Sequence, residues 1–560
     1  MSRPQADGNQ PQRSTVGSVA AGDDLGHRLE ELNAVGASLS AERDINRLLE
    51  SILAAAQKIT HADGGTLYRV TEERTLRFEI VRTTSLKYYL GGTSGTPVPF
   101  YPIHLAGKDG KPNHGMVAAY AALTGQTVNI PDAYTADGFD FSGTRNFDKK
   151  TGYRSISFLT VPMKNHENEI IGVLQLINAT HPKTGEIESF SPSDQRLAES
   201  LASQAAIALT NRMLINQLEE LFESFIGLIN MAIDEKSPYT GGHCQRVPAL
   251  TMMLAEAVNE TRDGPLAEFS MSDKDRYELK VAGLLHDCGK VTTPVHVVDK
   301  STKLETIFDR VHQIDTRFEV LKRDAEIALM KEKALLVARG APPAEHNAAD
   351  ARHHDRLRCL DEDRAFLRAC NVGGEAMKEA DMERVRSIAH YRWTDISGHE
   401  ANFLTEDEVK NLTIRAGTLT QEERQVINHH IVATIKMLEA LPWPRHLKNV
   451  AEYAGGHHER MDGKGYPRGL KREQMSVQAR VMGIADIFEA LTARDRPYKK
   501  GKTLSESLEI LGKFGLNGHI DQDLFDVFIR RKVYRRYAEQ FLDQDQIDDV
   551  DESRIPGYAP

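Results

Sequence analysis

The stretch Leu284-Leu285-His286-Asp287-Cys288-Gly289-Lys290 has an apolar run that delivers an adjacent imidazole and carboxylate, followed by a glycine and a lysine. A neutral imidazole gives one nitrogen to a metal and a carboxylate can bridge two, so His286 and Asp287 suit the start of a dinuclear centre. Alone, such a pair is more often a helix cap or a surface pair. Its company changes the reading. Upstream lies Tyr239-Thr240-Gly241-Gly242-His243-Cys244-Gln245-Arg246, and downstream come His429-His430, Gly456-His457-His458-Glu459-Arg460-Met461-Asp462-Gly463-Lys464-Gly465-Tyr466-Pro467 and Ile484-Ala485-Asp486-Ile487. Five histidines and two aspartates (His243, His286, His430, His457, His458, Asp287 and Asp486) are thus spread along mainly helical segments, which fits convergence in one all-α bundle.

With HDCGK and HHERMDGKGYP in this order, a histidine before and an aspartate after, the chain resembles the HD-GYP subgroup of HD-domain phosphohydrolases, bacterial enzymes that hydrolyse cyclic di-GMP. The resemblance implies one metal held by His243, His286, Asp287 and Asp486 and a second held by Asp287, His430, His457 and His458. Asp287 is then the bridge, with a hydroxide opposite it as nucleophile. Many nitrogens and only two carboxylates suit iron, manganese, zinc or nickel better than magnesium or calcium, and the family implies two divalent ions, iron or manganese. Lys290 is expected at the scissile phosphate, and Arg496 and Lys499 at the other substrate phosphates. The ring of Tyr466 is expected to stack on, or hydrogen-bond to, a guanine. Some family members hold a third metal with an acidic residue four positions before the first histidine. Tyr239 stands there, so two ions are expected. Hydrolysis of cyclic di-GMP to pGpG is the leading expectation, with a further step to GMP open. A dinucleotide-binding adaptor of little turnover, or a phosphodiesterase for another cyclic dinucleotide such as cyclic GMP-AMP, are the alternatives.

At 560 residues the chain can bury two or three cores. A net charge of -11 offers no basic field for DNA. No stretch has the apolar length of a membrane span, so a cytoplasmic protein is expected. Cys244, Cys288, Cys359 and Cys370 show no CxxC spacing, and the first two read as small core-filling residues beside the proposed ligands. His296, His312, His353, His354 and His429 read as solvated or packing residues.

The positioning elements point to a multidomain fold. Residues 1–25 read as disordered and 26–195 as an α+β domain with a central antiparallel sheet. One helix is expected from Gly26 to Lys58, then strands at 65–70, 76–81, 157–162 and 170–178. The segment from Asp148 to Ser155, the following hairpin, and Gln175-Leu176-Ile177-Asn178 resemble a GAF domain of the type in cyclic-nucleotide phosphodiesterases and adenylyl cyclases. Of that type's binding motif, Asn178, Phe190 and Asp194 match, whereas Ala179 replaces a lysine that would pair with Asp194, and Gln195 replaces a glutamate. A small-molecule effector, a cyclic nucleotide included, and a module that only dimerises both stay open.

Residues 196–234 read as a linker helix. Leu197, Leu201, Leu214, Leu218, Leu221, Phe225 and Leu228 trace a coiled-coil seam, which implies a parallel homodimer. Residues 235–540 read as an all-α metal domain with a helical insertion at about 301–417. Its first helix carries Ile307, Val311, Ile314, Phe318 and Leu321, breaks at Gly340-Ala341-Pro342-Pro343, and is answered by a return helix through 357–368. Residues 541–560 read as a mobile acidic tail.

Overall fold

The computed structural model describes residues 16–107, 109–236, 242–374, 376–494 and 501–559, with side chains from residue 26 onward. The chain divides into two compact units, Met1–Phe222 and Glu223–Pro560.

The first unit is built on an eight-stranded sheet, every pairing antiparallel, in the order β3-β2-β1-β7-β6-β5. Its strands are β1 (Ala62–Val70), β2 (Thr75–Thr83), β3 (Tyr88–Gly91), β4 (Ile103–His104), β5 (Val128–Ile130), β6 (Phe158–Lys164), β7 (Ile170–Thr180) and β8 (Ile187–Glu188). Short β4 pairs with β2, and β8 with β7. The helices are α1 (Val16–Ala41), α2 (Ile45–Thr60), α3 (Val117–Thr124), α4 (Ser142–Thr151) and α5 (Pro192–Lys236).

Strand periodicity sends alternate residues to opposite faces, and both faces are covered. Leu67, Leu174 and Leu176 pack with Leu48, Ile52 and Leu53 of α2 and with Leu197 and Leu201 of α5. Tyr68 and Val173 point the other way and pack with α3.

Three expectations are corrected in this unit. The single helix over 26–58 is two, because Asp44 caps a new start with its side chain on the Arg47 N–H. The disordered N-terminus falls outside the described residues up to residue 15, and from Val16 the chain is helical. The expected seam of α5 also divides. Leu197 and Leu201 are core, whereas Leu214, Leu218, Leu221, Phe225 and Leu228 stand exposed, Leu218 at 64%.

In the second unit the helices His243–Asn259, Asp273–Leu285, Gln421–Glu439, Val450–Gly455 and Val477–Thr492 pack against one another. Capping boxes start two of them, Ser272 with Asp275 and Thr420 with Glu423. The insertion has a core of its own in which Phe318 meets Phe403 at 4.6 Å between ring centroids, and Arg317 holds Glu408 with both guanidinium nitrogens. Its helical hairpin is Val311–Ala338 with Pro343–Asn371, turned at Gly340. Ile307 lies before that helix, 94% exposed. The C-terminal acidic stretch does not hang free. Gln546 is buried and donates to the carbonyls of Thr492 and Lys502, and Asp548 accepts from the Ser505 N–H. Among the described residues, no helix is long and apolar enough to cross a membrane.

Candidate metal centre

Four histidines reach the centre of the second unit with their outer nitrogens free to face inward, because the inner nitrogen of each is engaged. His286 donates from Nδ1 to the Gly283 carbonyl at 2.7 Å, His457 to Ala454 at 2.6 Å, and His430 to Ile427. Each carbonyl lies three residues earlier in the chain, a short local loop that fixes the ring. His243 meets instead the carboxylate of Glu489, Nδ1 to Oε2, at 2.6 Å. Such partners select the tautomer that leaves the Nε2 lone pair for a metal.

Asp287 stands between two groups of rings. Its Oδ2 lies 3.0 Å from His243 Nε2 and 3.3 Å from His286 Nε2, and its Oδ1 lies 3.2 Å from His430 Nε2. His458 Nε2 is 3.3 Å from His430 Nε2, and Asp486 Oδ1 is 3.3 Å from His243 Nε2. Two clusters result, His243 with His286 and Asp287, and His430 with His457 and His458. The seven expected ligand positions are thus brought together, with the central carboxylate offering one oxygen to each side.

A divalent cation fits this donor set. Asp287 Oδ1 and His457 Nε2 are buried without a hydrogen-bond partner among the described residues, Oδ1 despite its closeness to His430. Orphaned buried acceptors are costly unless something positive meets them. Burial lowers the basicity of His457 well below the ordinary histidine range and, reinforced by neighbouring His430, brings that of His458 to about 4, so both rings stay neutral. Burial also works against charge on His243, but Glu489 and Asp287 outweigh it and hold the ring at about 9. A cation binding there must displace that proton. Burial disfavours the Asp287 carboxylate, yet Lys290 and His286 keep it ionised, far below the usual range.

Backbone closeness builds the site. Gly289, between Asp287 and Lys290, lies so near the Gln421–Glu439 helix that a Cβ on it would stand 2.0 Å from the His430 carbonyl. Its N–H donates to Thr434 Oγ1 at 2.9 Å. Gly465 is as constrained, a Cβ there falling 2.4 Å from the Arg460 nitrogen. The loop around it is tied by Glu459, whose buried carboxylate accepts the N–H groups of Arg468 and Leu470. Asp462 forms the turn, accepting from Lys464 and Arg460.

Lys290 Nζ lies 2.5 Å from Asp287 Oδ2. Burial opposes its charge, but Asp287 and Asp486 raise its pKa and keep it an ammonium. The Tyr466 ring stacks on His458 at 4.8 Å and 23°, and burial, aided by Asp486 and Asp287, keeps its hydroxyl protonated. Arg496 and Lys499, and Tyr239, lie outside the described residues. Burial pushes the thiols of Cys244 and Cys288 up to about 12 and about 11, and neither joins the clusters.

Glu489 was not foreseen. It is fully buried and also takes Arg246, Nε to Oε1 at 2.7 Å. The signal was present: Glu489 follows Asp486 by three positions on one helix, and Arg246 follows His243 by three, so each shares a face with a ligand candidate.

None of the three motif residues of the first unit lines the aromatic-walled cavity on its sheet. Asn178, at φ 58°, accepts the Ile156 N–H and donates to the Arg154 carbonyl. Phe190 is buried in the helical core. Ser191 caps α5 by accepting the Asp194 N–H, and Asp194 accepts from Ser191 in return and pairs with Arg28, which supplies from α1 the cation that Ala179 cannot.

Comparison with known proteins agrees with this division. The GAF domain family model matches residues 44–209, and HD domain models match 240–357 and 406–524. A 3'3'-cGAMP-specific phosphodiesterase of Vibrio cholerae is 44% identical over 81 residues, 14% of this chain and 19% of that protein. A cyclic di-GMP phosphodiesterase of Pseudomonas aeruginosa is 36% identical over 116 residues, 21% of this chain and 27% of that one. Another from Thermotoga maritima is 33% identical over 135 residues, 23% and 36% of the two chains. The chain therefore spans between about a fifth and just over a third of the length of these relatives. Its two units carry a GAF domain followed by an HD domain, and the histidine and aspartate clusters belong to the latter.

Proposed function

We propose that this chain is a metal-dependent phosphodiesterase that opens cyclic di-GMP to pGpG under control of its GAF domain. The observation that carries the reading is the Asp287 carboxylate, buried with one oxygen toward His243 and His286 and the other toward His430. His243, His286, Asp287 and Asp486 would hold one divalent ion, and Asp287, His430, His457 and His458 a second; their donors suit iron, manganese, zinc or nickel, and the family resemblance selects iron or manganese. When bound, such ions supply an acidified water as nucleophile and positive charge for the phosphoryl oxygens.

The chain's own groups do the rest. Lys290, kept cationic at the rim of the Asp287 carboxylate, faces the negative charge that develops on the phosphoryl oxygens and can give a proton to the leaving 3′-oxygen. Tyr466 presents a protonated hydroxyl and a ring held by His458, suited to a guanine edge. Arg496 and Lys499 are proposed to hold the remaining phosphates.

Regulation enters through α5. Lys236, its last residue, donates from Nζ to the Lys290 carbonyl at 3.2 Å and to that of Val291, so this helix end touches the loop bearing the catalytic lysine. The exposed apolar stripe on the same helix is proposed to pair with a second copy in a parallel dimer.

Protein purified anaerobically and supplied with ferrous iron or manganese is expected to convert cyclic di-GMP to pGpG, read by product chromatography. His286→Ala with Asp287→Ala is expected to abolish it. Faster turnover of cyclic GMP-AMP would select the second substrate reading, which the Vibrio cholerae relative favours. Tight binding of cyclic di-GMP without product would overturn the enzyme reading in favour of an adaptor.

A further inference from the structure

The GAF domain has a half-open cavity of about 340 Å³ on the sheet face opposite α2 and α5, toward the lower end of the roughly 300–1,000 Å³ of small-molecule sites. Its walls are aromatic: Tyr68, Phe78, Phe100, Phe141, Phe147 and Tyr153. Tyr68 packs on Phe78 at 4.7 Å, and Phe78 on Phe100 at 5.3 Å. The polar groups along its strand wall are neutral, namely Thr66, Thr83 and Gln175, and Gln175 is already oriented by accepting from the Tyr68 hydroxyl.

The charge of this cavity is its distinguishing feature. Among the described residues no lysine, arginine or histidine lines it, and the one charged lining residue among them is Asp140, which stands exposed at its rim. Asp140 accepts the N–H of Ser142, the first residue of α4, at 2.8 Å. A negative group therefore already occupies the positive end of the helix that borders the cavity, where the phosphate of an anionic ligand would seek its compensation. An anion entering would leave water for an aromatic cage, meet a carboxylate at its rim and find no cation among the described lining residues, Arg145 acting on Asp140 from outside the lining. An uncharged planar ring loses little hydration and gains stacking on several faces, with threonine hydroxyls and an amide to read its edge.

We propose that the GAF domain binds an uncharged planar heteroaromatic molecule, of nucleobase to nucleoside size, and discriminates against the corresponding cyclic nucleotide. This deepens the regulatory reading above and rests on it for its purpose, but binding can be read without turnover.

Full-length protein is titrated with adenosine and guanosine, with cyclic AMP and cyclic GMP as the same bases carrying a phosphate, and with indole as a neutral ring lacking ribose. Binding is followed by calorimetry and saturation-transfer NMR. At least one neutral probe is expected to bind, and a nucleoside that binds should do so at least tenfold more tightly than its cyclic phosphate. Asp140→Asn is expected to narrow that ratio. Thr144→Trp and, separately, Ala118→Leu fill the cavity and should abolish binding, with the thermal midpoint of each free variant reporting its folding. A cyclic nucleotide binding as tightly as its nucleoside, no neutral probe binding, or binding that survives both filled cavities would each overturn the proposal. None of these results bears on whether the HD domain hydrolyses cyclic di-GMP.

Discussion

Glu489 acts on the HD site through another residue. It holds the His243 ring from behind, and Arg246 holds Glu489 in turn, so a carboxylate steadies an imidazole that faces the proposed ion site. Glu489→Gln keeps the shape and removes the charge, and metal affinity is expected to fall by about 10–100-fold, the range for such supporting groups. Metal titration monitored by content per chain checks this, and Glu489→Asp should recover part of the loss. A second buried carboxylate, Asp521, lies in an ion-pair network outside the clusters. Asp521 is fully enclosed and gripped by Arg472 and Arg480; burial works against its ionisation, but the hydrogen bond from Arg472 and the charge of Arg480 prevail and lower its pKa. Asp521→Asn takes the carboxylate from Arg480, while Arg472 keeps Asp523, and is expected to cost about 2 kcal/mol. Because the folded pKa lies below the unfolded value of about 3.9, the stabilisation is complete above about pH 4 and fades as pH falls through the folded value. Denaturant melts of both proteins at pH 7 and pH 3 should show the gap shrinking in acid.

Elements meet at the site through glycine. Gly289 lets the turn carrying Asp287 and Lys290 touch the helix carrying His430, so Gly289→Ala must push one from the other. Loss of metal binding by at least tenfold, with the helical content retained in circular dichroism, is the expected outcome. The order of the ligand motifs made the candidate site legible from sequence, because its histidines and aspartates sit in short, dense motifs on helices or just past their ends. The sheet was legible in its long strands, where alternation spans six residues or more, but not in β3, β4, β5 and β8, which are two to four residues long and show no period. The break before α2 was hidden because apolar spacing continues across it while Asp44 caps a new helix. Glu489 and Arg28 escaped because each pairs with a residue far away in the chain.

At the scale of the whole molecule, α5 joins the two domains in sequence and leaves Leu214, Leu218, Leu221, Phe225 and Leu228 exposed. Such a stripe is stable in water when another apolar face covers it. Light scattering is expected to give twice the chain mass, and Leu218→Glu with Phe225→Glu to halve it; a wild-type monomer at micromolar concentration would remove the dimer. The insertion, in turn, is no loose appendage. Lys300, at its threshold, is wholly buried, and its ammonium binds both oxygens of Glu423 at 2.8 Å and Asn411 Oδ1 at 3.0 Å. Glu423 begins the helix on which His430 rides. Pruning the insertion would therefore take Asn411 from the buried ammonium that steadies the footing of the His430-bearing rod, and a binder that tugs on the outgrowth would pull on that rod.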